Sequence, residues 1–160
     1  MTPPSDEPTR PTLRISPSPH RLERRSGTDQ QRTGKFVIDA ARLMSDSHCQ
    51  EVIICDLREL SDLTDYLLIG SGTSDRQMSS VGDDLDQLAP QFDLSCYGRE
   101  SDSRSTWIVL DFIDVMVHLF EPASRAHYDL EMLWGDAPRV PWRRGDSSSE
   151  GVPGPQRSRG

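Results

Sequence analysis

The chain is poor in the features that build membrane spans, disulfide frameworks and secretory signals. Among its 160 residues no apolar run approaches the roughly 20 residues that cross a bilayer, and the N-terminus lacks the apolar stretch of a secretory signal. The three cysteines, at positions 49, 55 and 96, form no CxxC pair, and an odd count argues against a disulfide framework. These absences predict a cytoplasmic protein.

Proline is almost missing from the middle of the chain. Ten of the 12 prolines lie in residues 1–34 or 135–160, and only two lie between those segments. The proline-rich ends have too few apolar residues to offset the entropy that is lost on ordering. We therefore predict disordered tails over residues 1–29 and 136–160, and one folded domain over residues 30–135.

Basic residues are also scarce in the middle. Residues 35–134 carry 19 acidic and 7 basic side chains, a net charge of −12, whereas each flanking segment has a net charge of +2. Nucleic-acid binding usually requires a basic patch, so we expect no direct sequence-specific nucleic-acid binding by this domain. Two interpretations of the acidity stay open. It either serves solubility or forms a face that docks on a basic protein.

Hydrophobic periodicity predicts the order α-β-β-α-β-β-β-α along the central region. The predicted elements are a helix from 28 to about 46–48, strands at 51–57 and 64–70, a helix between Ser74 and Pro90, strands at 93–98, 106–110 and 115–120, and a helix from Pro122 with an apolar stripe of Ala123, Ala126, Leu130 and Leu133. Together they predict an α/β (α+β) fold in which helices flank a mixed five-stranded sheet.

A glycine-containing turn before the second helix is the first candidate site. Residues 69–76 read Ile-Gly-Ser-Gly-Thr-Ser-Asp-Arg, and a helix N-terminus after such a turn can present N–H groups to a phosphate. The dinucleotide fingerprint would need a glycine in place of Asp75, whose charge also repels phosphate. We favour a structural interpretation, in which the glycines permit a tight turn and Ser74 forms a capping box with Gln77.

Two aspartates in the predicted hairpin are the second candidate. Asp111 and Asp114 could hold magnesium in a nucleotidyl-transfer enzyme that also uses the glycine turn, and this is the alternative function. Such enzymes project carboxylates from one strand face, which requires an even spacing. A separation of three residues does not meet that requirement. A turn or a partner-binding surface is therefore the favoured interpretation.

The remaining reactive residues form no recognisable catalytic set. Cys49 and Cys55 have no matching histidine pair, which argues against zinc, and no serine has an identifiable base. A single strand histidine such as His118 usually serves a structural hydrogen bond. Trp107 alternates onto the same face as Asp111, so it is either a core residue or the aromatic anchor of an interface. We predict a protein without enzymatic activity, cofactor or metal.

A series of short segments carries the most specific functional signal. The segments are Asp56-Leu followed by Ser61, Thr64-Asp65-Tyr66, Gly72-Thr-Ser74-x-Arg76, Gly98-x-Glu100, Trp107-Ile-Val-x-Asp111, Asp114-Val-x-Val-His118, Arg125, Tyr128 and Leu130-Glu131-x-Leu133-Trp134. This ordered string of unlike residues, over about residues 30–135, resembles the ribosomal silencing factor family (RsfS, also called Iojap).

The resemblance implies a fold related to nucleotidyltransferases but without their catalysis. It implies binding to the large ribosomal subunit through ribosomal protein L-fourteen, which blocks joining of the small subunit and represses translation. It also implies that homodimers can form. The residues implied at the ribosomal interface, or matching family positions beside it, are Trp107, Asp111, Phe112, Asp114, His118, Arg125 and Tyr128. The long tails depart from the family's compact length, which leaves open whether they contact ribosomal RNA.

Overall fold

The computed structural model describes residues 27–145. Its elements, in chain order, are α1 (Gly27–Asp46), β1 (Gln50–Asp56), β2 (Tyr66–Ser71), α2 (Asp75–Leu88), a 3-10 helix (Ala89–Phe92), β3 (Gly98–Ser101), β4 (Trp107–Asp111), β5 (Val115–Phe120), α3 (Pro122–Tyr128) and α4 (Leu130–Leu133). The predicted mixed five-stranded sheet with flanking helices is confirmed. None of the helices in the described part of the chain is long and apolar enough to cross a membrane.

The five strands lie in the order β1-β2-β5-β4-β3. β2 and β5 pair in parallel, and the other neighbouring strands pair antiparallel. Every residue of β2 is buried, as the continuous apolar run predicts for a strand that is covered on both faces. The two faces of the sheet are covered in different ways, and this difference positions the candidate site.

The first face of the sheet packs against α1 and α2. The fully buried side chains of α1 repeat at helical spacing, which explains why this segment forms an amphipathic helix: Phe36, Val37, Ala40, Ala41 and Met44. Full burial of each large apolar side chain contributes about 1.5–3 kcal/mol. This layer is therefore the main hydrophobic core.

The third strand begins later than the sequence predicts. It spans Gly98–Ser101 instead of residues 93–98. The 3-10 helix that follows α2 ends at Asp93, which has a left-handed backbone conformation with a φ of 56°. The chain then turns, with the N–H of Leu94 bonded to the carbonyl of Ala89. Leu94 and Cys96 still pack on the main core, so their alternation resembles a strand without forming one.

The predicted C-terminal helix is broken into α3 and α4. Asp129 adopts a left-handed conformation with a φ of 46°, and its N–H bonds to the carbonyl of Arg125, which ends α3. The predicted apolar stripe is wrong because Ala123 and Ala126 are exposed, whereas Arg125 is buried. Two alanines offer little apolar area, and Arg125 instead finds polar partners below the helix.

The chain continues as ordered structure beyond the predicted boundary at residue 135. Residues 136–145, which we call the strap, run along the outer edge of β1. Ala137 and Trp142 are buried, one against each face of the sheet. The strap therefore differs from the predicted C-terminal tail, because two side chains fix it to the domain. α1 also begins at Gly27, inside the predicted N-terminal tail of residues 1–29. The remainder of both predicted tails lies outside the described residues.

The glycine turn has the structural role that the sequence favours. The Oγ of Ser74 accepts a hydrogen bond from the N–H of Gln77 at 3.0 Å, and the Gln77 side chain accepts one from the N–H of Thr73 at 2.8 Å. Gly72 is closely enclosed, because a Cβ atom there would lie 2.1 Å from the Cγ of Met78. Met78 is fully buried, so it cannot move aside without disturbing the core.

We therefore expect Gly72→Ala to destabilise the protein by about 1–3 kcal/mol through overpacking. The matched control is Gly34→Ala in α1, where a Cβ would have only an ordinary contact of 3.7 Å to the hydroxyl of Tyr66. A helix prefers alanine to glycine by up to about 1 kcal/mol, so the control should be neutral or stabilising. Urea unfolding of both variants measures the difference. Equal stabilities would contradict the steric role of Gly72.

Candidate partner-binding surface

The second face of the sheet carries a smaller apolar cluster, which α3, α4 and the strap cover. Its buried members come from β1, β2, β4, β5 and their flanks: Cys55, Leu57, Leu67, Ile69, Trp107, Val109, Met116, Phe120 and Ala137. α3 and α4 contain only seven and four residues. The cover is therefore much thinner than on the first face, which explains why aromatic groups reach the surface here.

Trp107 lies at the centre of an aromatic group on this face. Its side chain stacks on Phe120 with ring centroids 4.8 Å apart, and Tyr128 from α3 packs at 4.5 Å. The indole Nε1 donates a hydrogen bond of 2.9 Å to the Nδ1 of His118. Trp107 is only 8% exposed, so most of its surface already contacts its own chain. His118 and Tyr128 beside it are half-buried, so they are the members of this group that a partner could contact.

His118 is held in its neutral form. Burial lowers the pKa of its imidazole from 6.5 to about 3. Because the indole N–H donates to Nδ1, that nitrogen carries no proton, and the neutral ring holds its proton on Nε2. His118 is thus a structural acceptor for Trp107. Its ring remains partly accessible at the surface.

Arg125 fixes the short helices to the sheet. It is 6% exposed, and its Nη1 donates to the Oγ of Ser71 at 2.9 Å. Its Nε and Nη2 both donate to the Oε1 of Glu131 in α4, so that the buried charge is paired. Arg125 therefore cannot contact a partner as a free cation. It positions the helix that carries Tyr128.

The hairpin residues are divided between the two faces. Asp111 is half-buried at the end of β4, and its Oδ1 accepts a hydrogen bond of 2.7 Å from the N–H of Ile113. Phe112 is 1% exposed and packs edge-on against Phe36 at 5.1 Å in the main core. Asp114 is half-buried, and its carbonyl accepts the N–H groups of Asp65 and Tyr66. The structure thus places Phe112 where no partner can contact it.

The other family positions build the scaffold. Tyr66 is buried at the start of β2, and Thr64 is buried just before it, where its hydroxyl donates to the carbonyl of Tyr66. The Arg58 guanidinium lies 5.5 Å from the centre of the Tyr66 ring. Gly72 and Ser74 form the turn that starts α2, and Arg76 lies exposed on that helix. They do not converge with Trp107 on one site.

No group of three or more His, Cys, Asp or Glu side chains within residues 27–145 is arranged to hold a metal ion. The thiols are also not activated, because burial raises the pKa of Cys49, Cys55 and Cys96. Asp111 and Asp114 thus have no third acidic ligand in this part of the chain. The described geometry gives the magnesium-dependent alternative no support.

Sequence reasoning missed the most exposed apolar side chains. Met132 and Leu133 in α4 are 78% and 72% exposed. The sequence predicts Leu133 on a core stripe, because a single continuous helix would turn it inward. The left-handed conformation at Asp129 changes the phase of the helix, so Leu133 turns outward. Of the predicted stripe only Leu130 packs on the second cluster, together with Trp134.

Comparisons with known proteins agree with this architecture. A family model described as "Ribosomal silencing factor during starvation" matches residues 30–159. The chain is 32% identical over 101 residues to the ribosomal silencing factor RsfS of Halalkalibacterium halodurans, which covers 63% of this chain and 86% of that protein. It is also 28% identical to the mouse "Mitochondrial assembly of ribosomal large subunit protein 1", over 79% of this chain and 64% of that protein.

The fold is shared with solved structures. A crystal structure of a Chromobacterium violaceum protein matches with a TM-score of 0.58 and 25% identity, covering 76% of this chain and 98% of the other. One from Bacillus halodurans matches with a TM-score of 0.56 and 27% identity, covering 69% and 98%. With a family model that matches most of its length, the chain belongs to the ribosomal silencing factor family.

Proposed function

We propose that this protein binds the large ribosomal subunit through ribosomal protein L-fourteen and represses translation by blocking the small subunit. The observation that carries the proposal is family membership, since the bacterial relatives bear the name ribosomal silencing factor and the mouse relative is named for large-subunit assembly. A bound protein that covers the contact area of the small subunit prevents joining by occlusion. This mechanism needs no turnover and no cofactor.

The contact region would be the outer part of the second sheet face. We define the docking surface as the accessible parts of six residues: Trp107, Asp111, His118, Tyr128, Met132 and Leu133. It combines a rigid aromatic group with two exposed apolar side chains, a composition typical of interface anchors. Three predicted residues are left out. Phe112 is enclosed in the main core, Arg125 is bonded to Ser71 and Glu131, and Asp114 lines a cleft beside the start of α1.

Charge supports a basic partner. Residues 35–134 have a net charge of −12, and Asp111, Asp129 and Asp136 lie close in sequence to the apolar members of the docking surface. Complementary charge accelerates the encounter with a basic ribosomal protein and excludes acidic competitors. The apolar members then supply the contact area that retains the complex.

Cosedimentation with purified large subunits tests the function. The full chain should pellet with them, and its absence from that fraction would refute the proposal. Met132→Glu combined with Leu133→Glu should reduce the affinity at least about tenfold, since about 1.4 kcal/mol of lost contact suffices for that change. Both side chains are exposed, so the fold should be kept.

The matched control is Leu60→Glu combined with Leu63→Glu, two exposed leucines in the β1–β2 connection. It adds the same charge away from the docking surface and should retain most of the binding. An equal loss in both double variants would show that the loss does not depend on position, and it would remove the docking surface from the proposal.

The neutral state of His118 gives a prediction for stability against pH. The unfolded chain binds a proton at His118 below about pH 6.5, whereas the folded chain does so only near pH 3. Because the unfolded state holds more protons between these pH values, the contribution of His118 to stability is complete above pH 6.5 and is lost as the pH falls. The partly accessible ring reduces the size of this effect. Between pH 7 and pH 5 we therefore expect the free energy of unfolding to fall by about 1–2 kcal/mol less in His118→Gln than in the wild type.

Urea unfolding at both pH values measures this difference. Carboxylates titrate in both proteins, so the comparison of wild type with His118→Gln isolates the histidine. An identical loss of stability in the two proteins would show that His118 is not held neutral by the fold.

A further inference from the structure

We propose that the strap is an edge guard, which occupies the open side of β1 and prevents a second copy of this chain from adding a strand there. β1 is an outer strand of the five-stranded sheet. An outer strand presents unpaired N–H and C=O groups that can pair with another chain, and proteins commonly cover such edges.

The strap bonds to one outward backbone group on each of three alternate residues of β1. The carbonyl of Val52 accepts the indole N–H of Trp142 at 2.9 Å, and the carbonyl of Ile54 accepts the N–H of Val140 at 3.0 Å. The N–H of Asp56 donates to the carbonyl of Pro138 at 2.8 Å. These are the groups that an added strand would use, because successive residues of a strand point their backbone groups to opposite sides.

Side chains hold the strap in this position. The Trp142 ring is buried in the main core together with side chains of α1, although it lies more than ninety residues after that helix in the sequence. The carbonyl of Trp142 accepts the Nε of Arg42 at 2.7 Å. Arg144 forms a two-point ion pair with Asp46 at 2.9 and 3.0 Å. The exposed ion pair adds little free energy, so the buried indole is the main anchor.

The strap is itself a poor template for a further strand. Val140 directs its N–H toward β1, so residues 139 and 141 direct their backbone groups outward. Position 141 is proline, which has no N–H to donate. The outward side therefore lacks one of its donors. A segment without this donor pairs poorly with a further strand. An ordinary strand in its place would itself present unpaired backbone groups to another chain.

If the outer edge of β1 were uncovered, we expect a second copy of this chain to bind there. In a purified sample it is the strand source present at the highest concentration, and the same edge on two copies can pair about a two-fold axis. Opening the strap should therefore convert a closed edge into a self-association site. The full chain with Val140→Pro and Trp142→Ala tests this, since the two changes remove the Ile54 and Val52 bonds and the anchor.

Sedimentation velocity over a hundredfold concentration range is the measurement. The double variant should form species larger than those of the wild type, in proportions that rise with concentration. An excess of a peptide of residues 136–145 should reverse this association by occupying the edge, and the same peptide with alanine in place of tryptophan should not. The control Asp136→Ala alters an exposed strap residue away from the Trp142 anchor and should match the wild type.

A double variant that is folded by circular dichroism and has the size distribution of the wild type would overturn the proposal. If the double variant does not fold, Val140→Pro alone provides the test, because it removes one hydrogen bond and keeps the indole anchor. Association of that variant, reversed by the peptide, would support the edge guard. The wild-type distribution in that variant would refute it.

Discussion

The parallel pairing of β2 with β5 is the constraint on which the arrangement of the site depends. Parallel strands cannot be joined by a tight turn, so α2, β3 and β4 lie in the crossover between them. The pairing also brings the two strand ends together, with Ser71 beside Phe120. The capped turn into α2 leaves from one of these ends, and α3 leaves from the other. Arg125 can reach Ser71 only because both strands end at this edge.

The central strands require cover on both faces, and the chain covers them unequally. α1 and α2 provide long apolar surfaces for the first face, whereas the second face receives two short helices and the strap. Polar contacts compensate for this small apolar area. Arg125 pairs with Glu131 and Ser71, and Trp107 bonds to His118. A thinly covered face with fixed aromatic groups is well suited to bind a partner, since little rearrangement is needed.

The backbone of Trp107 is held by a residue that sequence patterns do not mark. Asp102 is buried, and its carboxylate accepts hydrogen bonds from the N–H and hydroxyl of Thr106 and from the N–H of Trp107. In the sequence, Asp102 is one of many aspartates in a polar loop. Its role depends on the hairpin closing around it, which composition and spacing do not encode. The contact therefore fixes the backbone that carries the Trp107 ring.

Local patterns predicted what depends on local periodicity. The alternation of β4 correctly predicted that Trp107 and Asp111 share one face and that Phe112 lies on the other. The capping box correctly predicted where α2 begins. The resemblance placed Phe112 among the interface residues, and here the alternation was the better guide. The break at Asp129 and the strap could not be predicted in this way. Asp129 is one residue with a left-handed backbone, and Trp142 finds its partner Val52 at a separation of 90 residues.

The acidity of the domain and the neutrality of its aromatic group serve different steps of the proposed binding. Long-range charge acts on the rate of encounter, whereas the lifetime of a complex depends mainly on its desolvated contacts. A repressor that acts by occlusion is effective only while it stays bound. Met132, Leu133 and the uncharged pair of Trp107 and His118 would therefore set the duration of repression. The aspartates would determine how quickly repression begins and how strongly salt opposes it.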